Sequence, residues 1–190
     1  MKIGITGGIG SGKSYVCKLL ADHGITVYDC DAAAKRLMRQ DPKLREALTQ
    51  LIGPATYDNQ GQLNKAEVAR YLLQSAEHAH AIDAIVHPAV FRDFEESGLE
   101  WMESAILFES GIHQLVDYVV VVTAPEELRI ERVMQRDYID RAKALEWIGR
   151  QWPQDQVRSR SNFEIINDGM QPLAPQIDAL LAAISHPLYR

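Results

Sequence analysis

The segment from Ile3 to Gly24 narrows the possible folds more than any other part of this chain. A short apolar run, Ile3 to Thr6, enters Gly7-Gly8-Ile9-Gly10-Ser11-Gly12-Lys13-Ser14, and Val16, Leu19 and Leu20 then recur at helical spacing until His23-Gly24. That pattern reads as strand, loop, helix. Glycines at 7, 8, 10 and 12 let the backbone wrap closely around a polyphosphate. The motif GxxxxGK followed by Ser, placed between a strand and a helix, is a phosphate-binding loop whose N–H groups and helix dipole face an anion. Gly8, Ile9, Gly10, Ser11, Gly12, Lys13, Ser14 and Tyr15 are therefore the nucleotide-binding candidates. Lys13 reaches the β- and γ-phosphates, and the Ser14 hydroxyl holds Mg²⁺ bridging phosphate oxygens.

The remainder of the chain is read around that loop. Its 190 residues, 46% of them apolar, suffice for one hydrophobic core, and no apolar run approaches the length of a membrane span. A formal charge of −6 argues against general affinity for nucleic acid or anionic membrane. Cys17 and Cys30 cannot make a disulfide framework, and Met1-Lys2 opens no signal-peptide pattern, so the expected compartment is the cytoplasm. The expected partner is a small molecule, with a monomer or weak homo-oligomer as the assembly.

Further strands are expected at Thr26 to Asp29, Ala105 to Phe108, Tyr118 to Thr123 and Phe163 to Ile166, with helical patterns between most of them. The alternation implies a parallel sheet covered by helices on both faces. About seventy residues separate the second and third expected strands and read mostly as helix, giving a helical insertion at 32–98 within a single domain, 1–190. Asn64 and Glu67 are placed there as N-cap and N3 residue of one helix, and His87-Pro88 as punctuation. A second helical stretch, 125–160, holds seven of the thirteen arginines and reads as a lid.

Chemistry beyond the loop needs an acid and a cation. Asp29-Cys30-Asp31 closes the second strand, and i, i+2 spacing points both carboxylates the same way while the backbone is extended. Asp31 is the expected base for an attacking hydroxyl, with N-capping of the helix through Ala32 to Ala34 as its other use; Asp29 is a metal ligand or a strand-end carboxylate bonded to nearby backbone. Arg132 and Arg136 lie four apart on one helical face, and Arg136 is the candidate for the migrating phosphoryl group, against simple pairing with Asp137. The apolar strand ending at Thr123 offers no acid for metal or water. Asn64-Lys65-Ala66-Glu67 is the nearest approach to a GTP-selecting NKxD and ends in the wrong acid.

With these residues in place, the chain resembles the dephospho-coenzyme A kinases nearly end to end. The landmarks are Thr6 to Ser14, Asp29-Cys30-Asp31, His87-Pro88, Leu107-Phe108-Glu109-Ser110-Gly111, Gln135-Arg136-Asp137, Gln151 and Ile166-Asn167-Asp168-Gly169. The resemblance implies an α/β kinase core with a five-stranded parallel sheet in the order 2-3-1-4-5, a coenzyme A-binding insertion and a lid. It also implies transfer of the γ-phosphoryl of ATP to the ribose 3′-hydroxyl of dephospho-coenzyme A. Asp31, Lys35, His87 and Glu109 become substrate-binding expectations on the same ground, with Ser14 and Asp29 as metal ligands. Lys35 stands where the family commonly has Arg, keeping charge but losing the bidentate fork. His87 has a second reading as a helix-boundary residue before Pro88, and Glu109 as a strand end. The runner-up is a shikimate-type kinase, for which no Gly-Gly-Gly substrate loop is present; a nucleotide sensor has no need of Asp31.

Overall fold

Among the described residues, 1–186 of a computed structural model, five strands form one parallel sheet. They are β1 (Ile3–Thr6), β2 (Val27–Asp29), β3 (Trp101–Glu103), β4 (Tyr118–Thr123) and β5 (Phe163–Ile166), in the order β2-β3-β1-β4-β5. β1 is thus central, with Ile5 in register with Glu103 on one side and Val120 on the other. Every residue of β1 is buried, as are Val119 to Val122 of β4, because both faces of the sheet are covered. Helix α1 (Lys13–Asp22) and helix α9 (Leu173–Ser185) supply Val16, Leu20, Ile177 and Leu180 to the core under Ile3, Ile5, Val120 and Val122. Each such side chain contributes about 1.5–3 kcal/mol on burial.

The third strand lies at Trp101–Glu103, four residues before the expected Ala105 to Phe108, which instead forms consecutive turns. The reason is packing. A Cβ on Gly4 of β1 would lie 2.7 Å from Leu107 Cδ1, so Leu107 fills the space that glycine leaves over the sheet. The apolar run is buried by folding back onto β1 and not by joining the ladder.

The chain divides into two compact units, Met1–Tyr28 with the chain from Leu99 onward, and Asp29–Gly98. The first also holds α6 (Glu126–Asp137), α7 (Arg141–Gly149) and α8 (Gln154–Ser159). Ile130, Val133 and Ala144 of α6 and α7 form a small core of their own, and Ile9 from the phosphate-binding loop packs against it.

The second unit is helical: α2 (Cys30–Gln40), α3 (Pro42–Ile52), α4 (Lys65–Leu72) and α5 (Ala76–Ser97). Its helices start where side chains can cap them, Asp29 on Ala32 N–H, Asp41 on Leu44 N–H before Pro42 at N1, and Asn64 on Glu67 N–H. The expected cap at Asn64 is present, while the Glu67 carboxylate turns to Arg70. Leu37, Leu48, Val86 and Phe94 are buried here. His87-Pro88 does not end a helix. Pro88 sits inside α5, where buried Val86, Ala89, Val90 and Phe94 hold the helix together across the missing N–H. No helix among the described residues is long and apolar enough to cross a membrane.

Candidate active site

The loop from Gly7 to Gly12 leaves the C-terminal end of β1 and delivers the chain into α1. Three of its carbonyls are engaged by side chains from outside the loop: Ile9 C=O accepts from Arg129 Nε at 3.0 Å, Gly10 C=O from Arg132 Nη1 at 3.2 Å, and Ser11 C=O from Asn167 Nδ2 at 2.8 Å. In a planar trans peptide the C=O and the following N–H point in opposite directions. Holding the Ile9 and Ser11 carbonyls outward therefore aims the Gly10 and Gly12 amides into the loop. Gly12 has φ 89°, and a Cβ there would lie 2.0 Å from Asn167 Nδ2, so neither the turn nor the neighbour admits a side chain. Among the described residues no side chain caps α1. The buried Ser11 hydroxyl has no hydrogen-bond partner among the described residues. An uncapped helix N-terminus beside inward amides and an unpartnered hydroxyl fits a polyphosphate.

Lys13 is the first residue of α1, and its Nζ lies 2.5 Å from Glu103 Oε2, with side chains 12% and 10% exposed. Glu103 ends β3 beside β1, and Cys17 Sγ donates to the same carboxylate oxygen at 3.3 Å. The acid that the sequence reading looked for at the end of β4 is on the opposite side of β1. Its signal was a carboxylate following the apolar pair Trp101-Met102, hidden by placing the third strand four residues late.

The loop is also held from the 149–153 region. Ile9 N–H donates to Gln151 Oε1 at 2.7 Å, and Gln151 Nε2 donates to the Ala105 carbonyl at 3.3 Å. Glu109 accepts from Trp152 N–H at 3.1 Å, and the Phe108 and Trp152 rings stack with centroids 6.1 Å apart. Glu109 is thereby joined to the chain following α7.

The other expected residues have definite places. Ser14 is exposed in the first turn of α1, and Tyr15, next to it, is 57% exposed. Arg136, one turn beyond Arg132 on α6, pairs with Asp137 at 2.7 Å. Sequence reasoning missed Glu103 altogether; it met Arg129 only as one of the lid arginines, Arg132 as the neighbour of Arg136 on one helical face, and Gln151 only as a landmark of the resemblance, and assigned none of the three to the loop. In the helical unit, Asp29 is the N-cap of α2, with Ala32 N–H 2.8 Å from its carboxylate. Helix α2 already begins at Cys30, so the backbone is not extended through Asp31 and the i, i+2 argument for the two aspartates does not hold. Asp31 is an exposed first-turn acid, and Lys35 lies one turn further along α2. His87 on α5 is 3.6 Å from Asp83 and stacks on Phe91 with centroids 6.3 Å apart.

Among the described residues no three His, Cys, Asp or Glu side chains gather as a cation cage. The Ser14 hydroxyl is an oxygen donor of the kind that Mg²⁺ accepts beside water and phosphate oxygens.

A family model described as CoaE, dephospho-CoA kinase, matches residues 1–172. A dephospho-CoA kinase from Bacteroides fragilis is 41% identical over 196 aligned positions, which span 100% of this chain and 95% of that protein. Another from Porphyromonas gingivalis is 38% identical over 189 positions, spanning 96% and 93%. Among solved structures, TT1252 from Thermus thermophilus matches with a TM-score of 0.80 at 33% identity, over 97% of this chain and 96% of that one.

Proposed function

The chain belongs to the dephospho-CoA kinase family and is an ATP-dependent kinase of dephospho-CoA; on that premise we propose that it phosphorylates the ribose 3′-hydroxyl, with Lys13, Asp31 and Arg136 as the working groups. The observation that carries this reading is the loop: an uncapped helix N-terminus, inward amides and Lys13 form one anion-receiving surface. Glu103 holds Lys13 until a nucleotide arrives. The β- and γ-phosphates then compete for the ammonium, which follows the charge as it shifts toward the leaving oxygen.

Asp31 accepts the proton of the 3′-hydroxyl as that oxygen bonds to the γ-phosphorus. The bond from the γ-phosphorus to the β,γ-bridging oxygen breaks, and its electron pair leaves on ADP. Asp31 suits the role because it is exposed on the first turn of α2 while Asp29 takes the capping duty. Arg136 exchanges its exposed pairing with Asp137 for the transferring phosphoryl group. Lys35, His87 and Glu109 are proposed to meet the acceptor, and Tyr15 the nucleotide. Ser14, with Asp29 through water, would hold Mg²⁺, which when bound neutralises phosphate charge. Cys17 and Cys30 form no disulfide with each other, which suits a reducing cytoplasm.

The test is ADP release measured with dephospho-CoA, with shikimate and with no acceptor. Turnover with dephospho-CoA alone, and phosphate located on the 3′ position of the product, supports the proposal. Equal turnover without acceptor, or phosphate elsewhere, overturns it.

A further inference from the structure

Arg129 is the most deeply buried arginine of the lid segment, 5% exposed, yet among the described residues no carboxylate lies within ion-pair distance of it. It sits on the first helix after β4, three residues before Arg132. Its Nε donates to the Ile9 carbonyl. A Cβ on Gly8 would lie 2.4 Å from its Nη2, and one on Gly10 would lie 2.5 Å from its carbonyl oxygen, so the guanidinium and its backbone form the wall on which the loop rests. A cleft of about 490 Å³ beside it is lined also by Gln151, Trp152, Glu126 and Asp155, and neither acid reaches it as an ion pair. Burial costs this charge: desolvation pulls the guanidinium below its ordinary basicity, opposed only by Glu126 acting through space.

A desolvated cation without a carboxylate weakens a fold unless something repays it. The Ile9 carbonyl repays part. The remainder has a natural source in the anion that the loop is shaped to receive, since Arg129 stands directly behind Gly8 and Ile9.

We infer that Arg129 is a positioning residue for the phosphate-binding loop, fixing the Ile9 peptide and leaving a buried charge that a bound polyphosphate offsets. The inference rests on the loop's reading as a nucleotide site but not on the identity of the acceptor. It makes the empty chain less stable than it could be and the nucleotide-bound chain correspondingly tighter. A packing role predicts something different, because a long apolar side chain would then serve as well as Arg.

The experiment measures ADP and AMP affinity by calorimetry, and the unfolding midpoint of the ligand-free chain, for wild type, Arg129→Met and Arg129→Lys. Arg129→Met should weaken ADP about tenfold and AMP less, with no fall in the ligand-free midpoint, and Arg129→Lys should recover part of the ADP affinity. Three results would overturn the inference: unchanged ADP affinity in Arg129→Met, Met outperforming Lys, or a ligand-free midpoint that falls in step with affinity. Wild-type chain that binds no ADP would sink the nucleotide reading itself, whereas wild-type binding with an indifferent Met variant removes only the role of Arg129.

Discussion

Six of the seven arginines between β4 and β5 divide into two populations, the seventh, Arg160, lying over the Trp152 ring. Arg129 and Arg132 turn inward to the carbonyls of the phosphate-binding loop without ion-pair partners among the described residues. Arg136, Arg141, Arg150 and Arg158 lie outward on Asp137, Glu127, Glu146 and Glu164, with side chains 52–64% exposed. Both populations come from one basic stretch, and composition does not distinguish them. The difference is whether a carboxylate or a peptide carbonyl answers the guanidinium. An exposed ion pair contributes little to stability and can be exchanged cheaply, whereas a buried donor on a carbonyl fixes the backbone. Lys13 stands between the two, largely covered and paired with Glu103, and in the proposed scheme it is the cation that a nucleotide draws away from its acid.

The comparison is open to attack at each level. Lys13→Ala should reduce turnover by at least about a thousandfold, measured as ADP release, because the cation that follows the migrating charge is gone; retention of most activity would remove Lys13 from the scheme. Arg136→Ala should lower kcat by about a hundredfold while leaving the ligand-free unfolding midpoint in place, as expected of an exposed pair that is exchanged only during turnover. If the midpoint falls and kcat does not, Arg136 belongs with the structural residues. Glu103→Gln should cost the ligand-free chain about 2 kcal/mol in denaturant unfolding and less with ADP bound, since Lys13 then has the nucleotide as partner. An equal loss in both states would show that the pair is not exchanged.

The smallest effect concerns the outward pairs. Arg141, hydrogen-bonded to Glu127, holds that carboxyl below the usual carboxylate range. Because the folded value is depressed, the stabilisation is present above the unfolded value and lost as pH falls through the folded one. Arg141→Ala should therefore lower the unfolding midpoint slightly near about pH 6 and progressively less as the pH falls below the ordinary carboxylate range, with kcat unchanged. A kcat defect would move Arg141 into the inward class.

What could be read from the sequence follows the same division. The loop was legible because eight consecutive residues carry it, and β4 because its buried valines are contiguous, while β1 and β5 showed as short segments rich in β-branched residues. Glu103 was not, since it meets Lys13 only through the parallel register of β1 and β3, ninety residues apart. Gln151 reaches Ile9 across 142 residues and Arg129 across 120, and nothing local distinguishes either from a solvated helix residue. Asp29-Cys30-Asp31 misled for a different reason: the same short acid that can end a strand can also cap a helix, and here Asp29 does both. The third strand was misplaced because Leu107 is as apolar as a strand residue but is buried by a turn over Gly4.

Gly4 has a consequence for engineering this chain. Adding one methyl group there would press on Leu107, whose segment carries the Ala105 carbonyl held by Gln151, which in turn holds the Ile9 amide. The position of a loop that handles phosphate is thus gauged from beneath by a residue that offers no functional group. A library restricted to side chains lining the nucleotide would overlook it, and substitutions at Gly4 should trade against volume at Leu107, with Leu107→Val the first compensating change to try.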